Sequence, residues 1–109
     1  MRSFLLLTAL IMVIILFNNE VKSQLSINTD ISILKAQSDE GNPDAKFYLG
    51  TLYYSGKNLD QNFDKAISLF QEASDGGNVS ATFNLGIIYA KGRGVDIDEK
   101  KAFNYYKKA

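Results

Sequence analysis

The chain opens on an unbroken apolar run, Phe4 to Phe17, in which only Thr8 is polar. Asn18, Asn19 and Glu20 end it. Beyond that point apolar residues return at helical spacing. Ile27, Ile31 and Leu34 form one stripe. Ala45, Leu49, Leu52 and Tyr53 follow the i, i+4, i+7, i+8 pattern of a single buried face, and Ala81, Leu85, Ile88 and Tyr89 repeat it. Ala66, Leu69, Phe70 and Ala73 form another stripe, echoed by Ala102, Tyr105, Tyr106 and Ala109. The pattern predicts an all-α chain: an apolar N-terminal helix, then amphipathic helices in pairs.

Punctuation between the stripes agrees. Pro43 suits a first helical turn, where its missing N–H has no partner anyway. Gly56 and Gly92 each follow a stripe by three residues and suit the left-handed conformation that closes a helix. Asn62 and Asp98 are good N-caps, each offering a side-chain oxygen to an orphan backbone N–H. Glu99 complements the helix dipole in the first turn. Gly76 and Gly77 separate one pair from the next.

The pairs are copies. At an offset of 36 residues, 12 of the 33 positions from Gly41 to Ala73 are identical to Gly77–Ala109; background composition predicts about two or three. The register also runs backwards, through Ile31/Ile67, Ser32/Ser68, Ser38/Ser74 and Asp39/Asp75. The chain therefore divides into residues 24–43 as a degenerate helical half-repeat, 44–79 as one repeat and 80–109 as a second. A glycine inside a helix costs roughly 1 kcal/mol against alanine, so the recurrence of Gly50 at Gly86 predicts a close contact there. Gly50, Ala66 and Ala73 are expected where neighbouring helix backbones meet, with Tyr53 and Phe70 filling the space beside them.

The N-terminal run changes the picture of the first 23 residues. Arg2, the apolar stretch and the polar Asn18–Glu20 have the layout of a secretory signal, with cleavage expected after Ser23. An uncleaved anchor is the alternative. A helix of those 14 apolar residues reaches roughly 21 Å, short of a hydrocarbon core of about 30 Å. The expected localisation is outside the cytoplasm: secreted or periplasmic in a bacterium, lumenal or extracellular in a eukaryote. No stable membrane insertion is expected after cleavage.

Residues 24–109 carry ten basic and eleven acidic side chains. That balance gives no electrostatic reason to expect nucleic acid as a partner. The chain has no Cys and no His. Thiol chemistry, Ser–His–Asp catalysis and histidine zinc sites are thereby excluded. The run Asp96-Ile97-Asp98-Glu99 lacks the spacing and glycine of a calcium loop and reads as helix capping. Asn78-Val79-Ser80 is an acceptor sequence for N-glycosylation in a eukaryotic host. Lys100-Lys101 and Lys107-Lys108 read as a solvated basic face. No cofactor, metal or catalytic group is expected.

The second copy resembles the Sel-1-like repeat, a relative of the tetratricopeptide repeat. The resemblance rests on Ala81, Leu85, Gly86, Tyr89, Gly92, Gly94, Val95, Asp98, Lys101, Ala102, Tyr106 and Ala109. The first copy matches at Ala45, Leu49, Gly50, Tyr53, Gly56, Lys65, Ala66, Phe70 and Ala73. It departs at Asn58 and Leu59, where the family has Gly-Val, and at Asn62, where it has Asp. The resemblance implies a right-handed α-solenoid of antiparallel helix pairs that binds a protein or peptide on its concave face. It places Phe47, Thr51, Tyr54, Phe83, Asn84, Ile87 and Lys91 on that face. Phe47 and Phe83, recurring identically, are rather expected to pack between repeats. The expected function is an exported interaction module and not an enzyme. The alternatives are a hydrolase like the family's cysteine-rich, β-lactam-linked branch, which the absence of Cys disfavours, and a truncated fragment. Solenoids normally end in a polar cap. The array reaches Ala109 without one, so a partner or self-association is expected to cover its last apolar face.

Overall fold

A computed structural model describes residues 2–109. Among the described residues there are five α-helices and no strand. They are α1 (Arg2–Asp39), α2 (Pro43–Ser55), α3 (Phe63–Asp75), α4 (Val79–Lys91) and α5 (Glu99–Lys108). The chain divides into two compact units at Ile31 and Ser32.

The first unit is helical throughout and carries the apolar run. Its large apolar side chains, from Phe4 to Phe17, are exposed. The helix runs on past the end of the apolar stretch; its 38 residues continue to Asp39. At ~1.5 Å per residue that is about 57 Å. An 18-residue window of it is apolar enough to cross a membrane, as a signal sequence also is. Helix length therefore does not separate a signal from an anchor.

The second unit is a short α-solenoid. The start of each pair is fixed by an asparagine. Asn42 Oδ1 accepts the N–H groups of Asp44 and Ala45, and Asn78 Oδ1 accepts that of Ala81. Pro43 stands in the first turn of α2. Asn62 and Asp98 cap α3 and α5 by accepting from Lys65 and Lys101. Gly56 and Gly92 close α2 and α4 at φ of 73° and 70°. The loop between α2 and α3 keeps its shape although it lacks the family's Gly-Val. Asn58 takes φ of 62° where the second copy has Gly94 at 82°. Asparagine tolerates that region better than other side chains. Both loops close with the same bond, Asn62 N–H to the Tyr53 carbonyl and Asp98 N–H to that of Tyr89.

Within each pair the helices pack face to face, and α4 packs on α3 to join them. The core runs through Leu49, Tyr53, Ala66, Ile67, Phe70 and Ala73 into Ala81, Leu85, Ile88, Tyr89 and Ala102, with Leu34 packed against it. Leu52 and Leu69, expected inside, are only half-buried. In α5 the expected inner face is mostly open. Ala102 is buried, but Tyr106 is 40% exposed and Ala109 is exposed. The physical reason is that α3 packs against helices on two sides and α5 against α4 alone among the described residues. The equivalent face of α3 lies under α4, and among the described residues no further helix packs on the matching face of α5.

The helical glycines have a different use from the one expected. A Cβ on Gly50 would lie 2.9 Å from the Phe70 ring, and one on Gly86 would lie 2.7 Å from the Tyr106 ring. Each glycine makes room for an aromatic side chain of its partner helix more than for a backbone. The repeated lysines also gain a reason. Lys65 Nζ lies 4.8 Å from the Tyr53 ring centroid and Lys101 Nζ lies 4.4 Å from that of Tyr89. Tyr89, first by hydrogen bonding and then by charge, holds the Lys101 ammonium above the usual 10.5.

Candidate functional site

A groove of about 280 Å³ opens between α2 and α4. Thr51, Tyr54 and Ser55 line it from α2, and Asn84, Ile87 and Ile88 from α4. Phe70 of α3 forms its floor. The groove follows from the repeat. α2 and α4 are equivalent first helices, held apart by the second helix between them, so a channel forms wherever their facing side chains are short. Thr51 and Ser55 are short, and Tyr54 stands as one wall.

Tyr54 is held by its neighbours. Its ring lies edge-on to Phe63 at 5.2 Å between centroids and tilted against Phe70 at 6.3 Å. Arg93, from the loop between α4 and α5, places its guanidinium carbon 5.0 Å from that ring's centroid and 5.6 Å from that of Phe63. Gly94 brings that loop close: a Cβ there would lie 2.6 Å from the Phe63 Cβ. The loop of the second repeat thus buttresses the first repeat's aromatic wall.

The polar groups in the groove are mostly satisfied. Thr51 Oγ1 donates to the Tyr48 carbonyl at 2.6 Å, and Ser55 Oγ to that of Leu52 at 3.3 Å. Among the described residues the Asn84 side-chain amide has no internal hydrogen-bond partner, although it is half-buried in the wall. An amide left free beside apolar walls can pair with a peptide backbone, as donor and acceptor together.

Of the seven expected contact residues, the structure brings together Thr51, Tyr54, Asn84 and Ile87. Phe47 lies outside the groove, half-buried against Phe70 at 6.0 Å. Phe83 is 50% exposed and tilted on Tyr106 at 5.5 Å. Lys91 is exposed one turn beyond Ile87. Ser55, Phe70 and Ile88 were not expected. Phe70 and Ile88 read as core, which they are; the groove is where the core's edge meets solvent. Arg93 is not legible in the sequence, because a loop residue's contact with the preceding repeat leaves no periodic signal. Asn78, the glycosylation acceptor, is occupied here: its Nδ2 donates to Asp44 at 2.9 Å while its Oδ1 caps α4.

The sequence model of the Sel1 repeat matches residues 43–78 and again 79–109. The chain belongs to the Sel1 repeat family. Solved Sel1 structures agree. A Sel1 repeat protein from Oxalobacter formigenes is 40% identical, with a TM-score of 0.67 over 72% of this chain and 59% of its own. The protein c5321, a protective antigen present in uropathogenic Escherichia coli strains and displaying an SLR fold, is 32% identical. Its TM-score is 0.70, over 72% of this chain and 17% of its own. The chain thus spans less than two thirds of either relative. No curated protein matches it. Sel1 repeat proteins generally mediate protein–protein interaction, and the matches indicate a repeat scaffold.

Proposed function

We propose that this Sel1 chain is an exported interaction module that holds a peptide segment of a partner protein in the groove between α2 and α4. The observation that carries the reading is the pairing of Tyr54 and Ile87 across an apolar channel that also holds an unpaired amide, Asn84. Both positions differ between the copies, Tyr54 standing against Ala90 and Ile87 against Thr51. The repeat makes the groove, but these two lining side chains are not set by the repeat signature. Ligand sites combine apolar walls with a few placed polar groups in this way.

Export is supported by the apolar, N-terminal stretch of α1. The half-repeat before the first full one is supported by the turns. Gly41 N–H bonds to the Ser38 carbonyl and Asn42 N–H to that of Gln37; Gly77 and Asn78 bond identically to Ser74 and Ala73.

Site-specific photo-crosslinking in the native host tests the groove. A crosslinking residue at Ile87 is expected to trap a discrete partner, whereas one at the exposed Ser68 of α3 is not. The trapped species should disappear in a Tyr54→Ser background of unchanged helicity. The same products from both positions, or none from Ile87, would count against a groove-bound partner.

A further inference from the structure

The groove's ends are not alike, and the difference bears on what it takes. Arg93 stands against Tyr54, and Lys91 is the repeat counterpart of the groove-lining Ser55. Lys91 is on the same face of α4 as Ile87, one turn on. Arg93 touches Tyr54 directly, with its guanidinium carbon 5.0 Å from the ring centroid. Among the described residues neither cation has a carboxylate within ion-pair distance, although Lys46 and Lys108 do. The Arg93 guanidinium also forms no hydrogen bond within the described chain.

A guanidinium held against rings by its charge, with no hydrogen bond spent, keeps its N–H donors for other partners. Tyr54 and Phe63 thus hold the Arg93 guanidinium against the groove's aromatic wall while leaving its donors open. A fixed fork loses less entropy on binding than a free one. Its natural complement is a carboxylate, which accepts two parallel N–H bonds. A cation in the occupant would meet Arg93 and Lys91 as like charges.

We propose that the occupant is an acidic peptide. It presents an apolar side chain to Tyr54, Phe70 and Ile87 and an Asp or Glu, a few residues along, to Arg93. This rests on the groove being the binding site, and the test separates the two statements.

The full chain in non-ionic detergent is used to select from a phage-displayed library of random dodecapeptides. The same selection is run on Arg93→Gln and on a Tyr54→Ser/Ile87→Ser variant, each checked for unchanged helicity. Wild-type winners are expected to combine an aromatic or aliphatic residue with a nearby Asp or Glu. Arg93→Gln winners should keep the apolar residue and lose the acidic excess. For a synthetic winning peptide, Arg93→Gln and amidation of the peptide's carboxylate should each weaken binding at least roughly tenfold, the size of a charge-assisted hydrogen bond. Together they should weaken it little more than either alone, because both remove one contact. Arg93→Lys should recover part of the loss. Wild-type winners without an acidic excess, or two losses that multiply, would overturn the acidic-peptide proposal and leave the groove reading standing. If the Tyr54→Ser/Ile87→Ser variant selects the same peptides as wild type, or wild type selects none, the groove reading falls and this proposal with it.

Discussion

Two glycines at the same repeat position make opposite demands on their surroundings. Phe70, which faces Gly50, is 1% exposed, whereas Tyr106, which faces Gly86, is 40% exposed. A Cβ at Gly50 presses on a ring packed between Phe47 and Tyr54, so Gly50→Ala is expected to destabilise by about 1–3 kcal/mol, as overpacking does. At Gly86 the Tyr106 ring can swing into solvent, and alanine's helix propensity gains roughly 1 kcal/mol. Gly86→Ala should therefore be neutral or slightly stabilising. Paired urea melts of the two variants check the contrast, and equal losses would show that Tyr106 is as confined as Phe70. Lys101 gives a pH-dependent counterpart. Its pKa is raised in the folded chain, so what it contributes is fully present below 10.5 and is lost as pH rises through the raised value. The urea midpoint difference between wild type and Lys101→Gln should accordingly shrink on going from pH 8 to strongly alkaline solution.

The helices differ in how much of each is held by tertiary contact. α3 is packed on both sides and contributes Ala66, Ile67, Phe70 and Ala73 to the core. α5 has ten residues and buries only Ala102. A lost N-cap costs typically about 1 kcal/mol in either helix, but the consequences separate. Asp98→Ala should fray α5 alone, seen as faster amide exchange in α5 with α3 unchanged. Asn62→Ala should lower the stability of the whole second unit, because α3 cannot open without its neighbours. This contrast also marks what the sequence makes legible. Stripes, caps and closing glycines are local, so Pro43, Gly56, Asn62, Gly92 and Asp98 stand where the pattern puts them. Asn58 holds the left-handed turn that a signature glycine was expected to hold, since its short polar side chain tolerates it. Tyr106 was misplaced because its burial depends on a neighbour and not on its own spacing. The groove was half legible for the same reason. Thr51, Tyr54, Asn84 and Ile87 follow from helix faces, but Arg93 meets the Tyr54 wall beside a loop brought close by Gly94 on Phe63, which no periodicity records.

At the scale of the whole molecule, the two units place different demands on the cell. The second unit is an ordinary water-facing solenoid with its core inside. The first exposes Leu10, Ile11, Val13, Ile14 and Leu16 along a helix that has no core to bury them in. Apolar area of that extent is stable only in lipid or in a binding site for it, with each buried CH₂ worth about 0.8 kcal/mol. A translocation signal meets that demand transiently and an anchor meets it permanently. A single fusion separates the two: alkaline phosphatase, active only outside the cytoplasm, joined after Ala109. The wild-type fusion is expected to be active. The Ile11→Lys/Ile14→Lys fusion is expected to be inactive, since each lysine opposes insertion by about 2.5–3.5 kcal/mol at the centre of a spanning helix. Sequencing the active product's N-terminus then decides between the two fates. A start at Gln24 in the soluble fraction is the expected result. An intact product in the membrane fraction would instead make the apolar helix a tether, holding the groove beside the membrane where its acidic partner would have to be found.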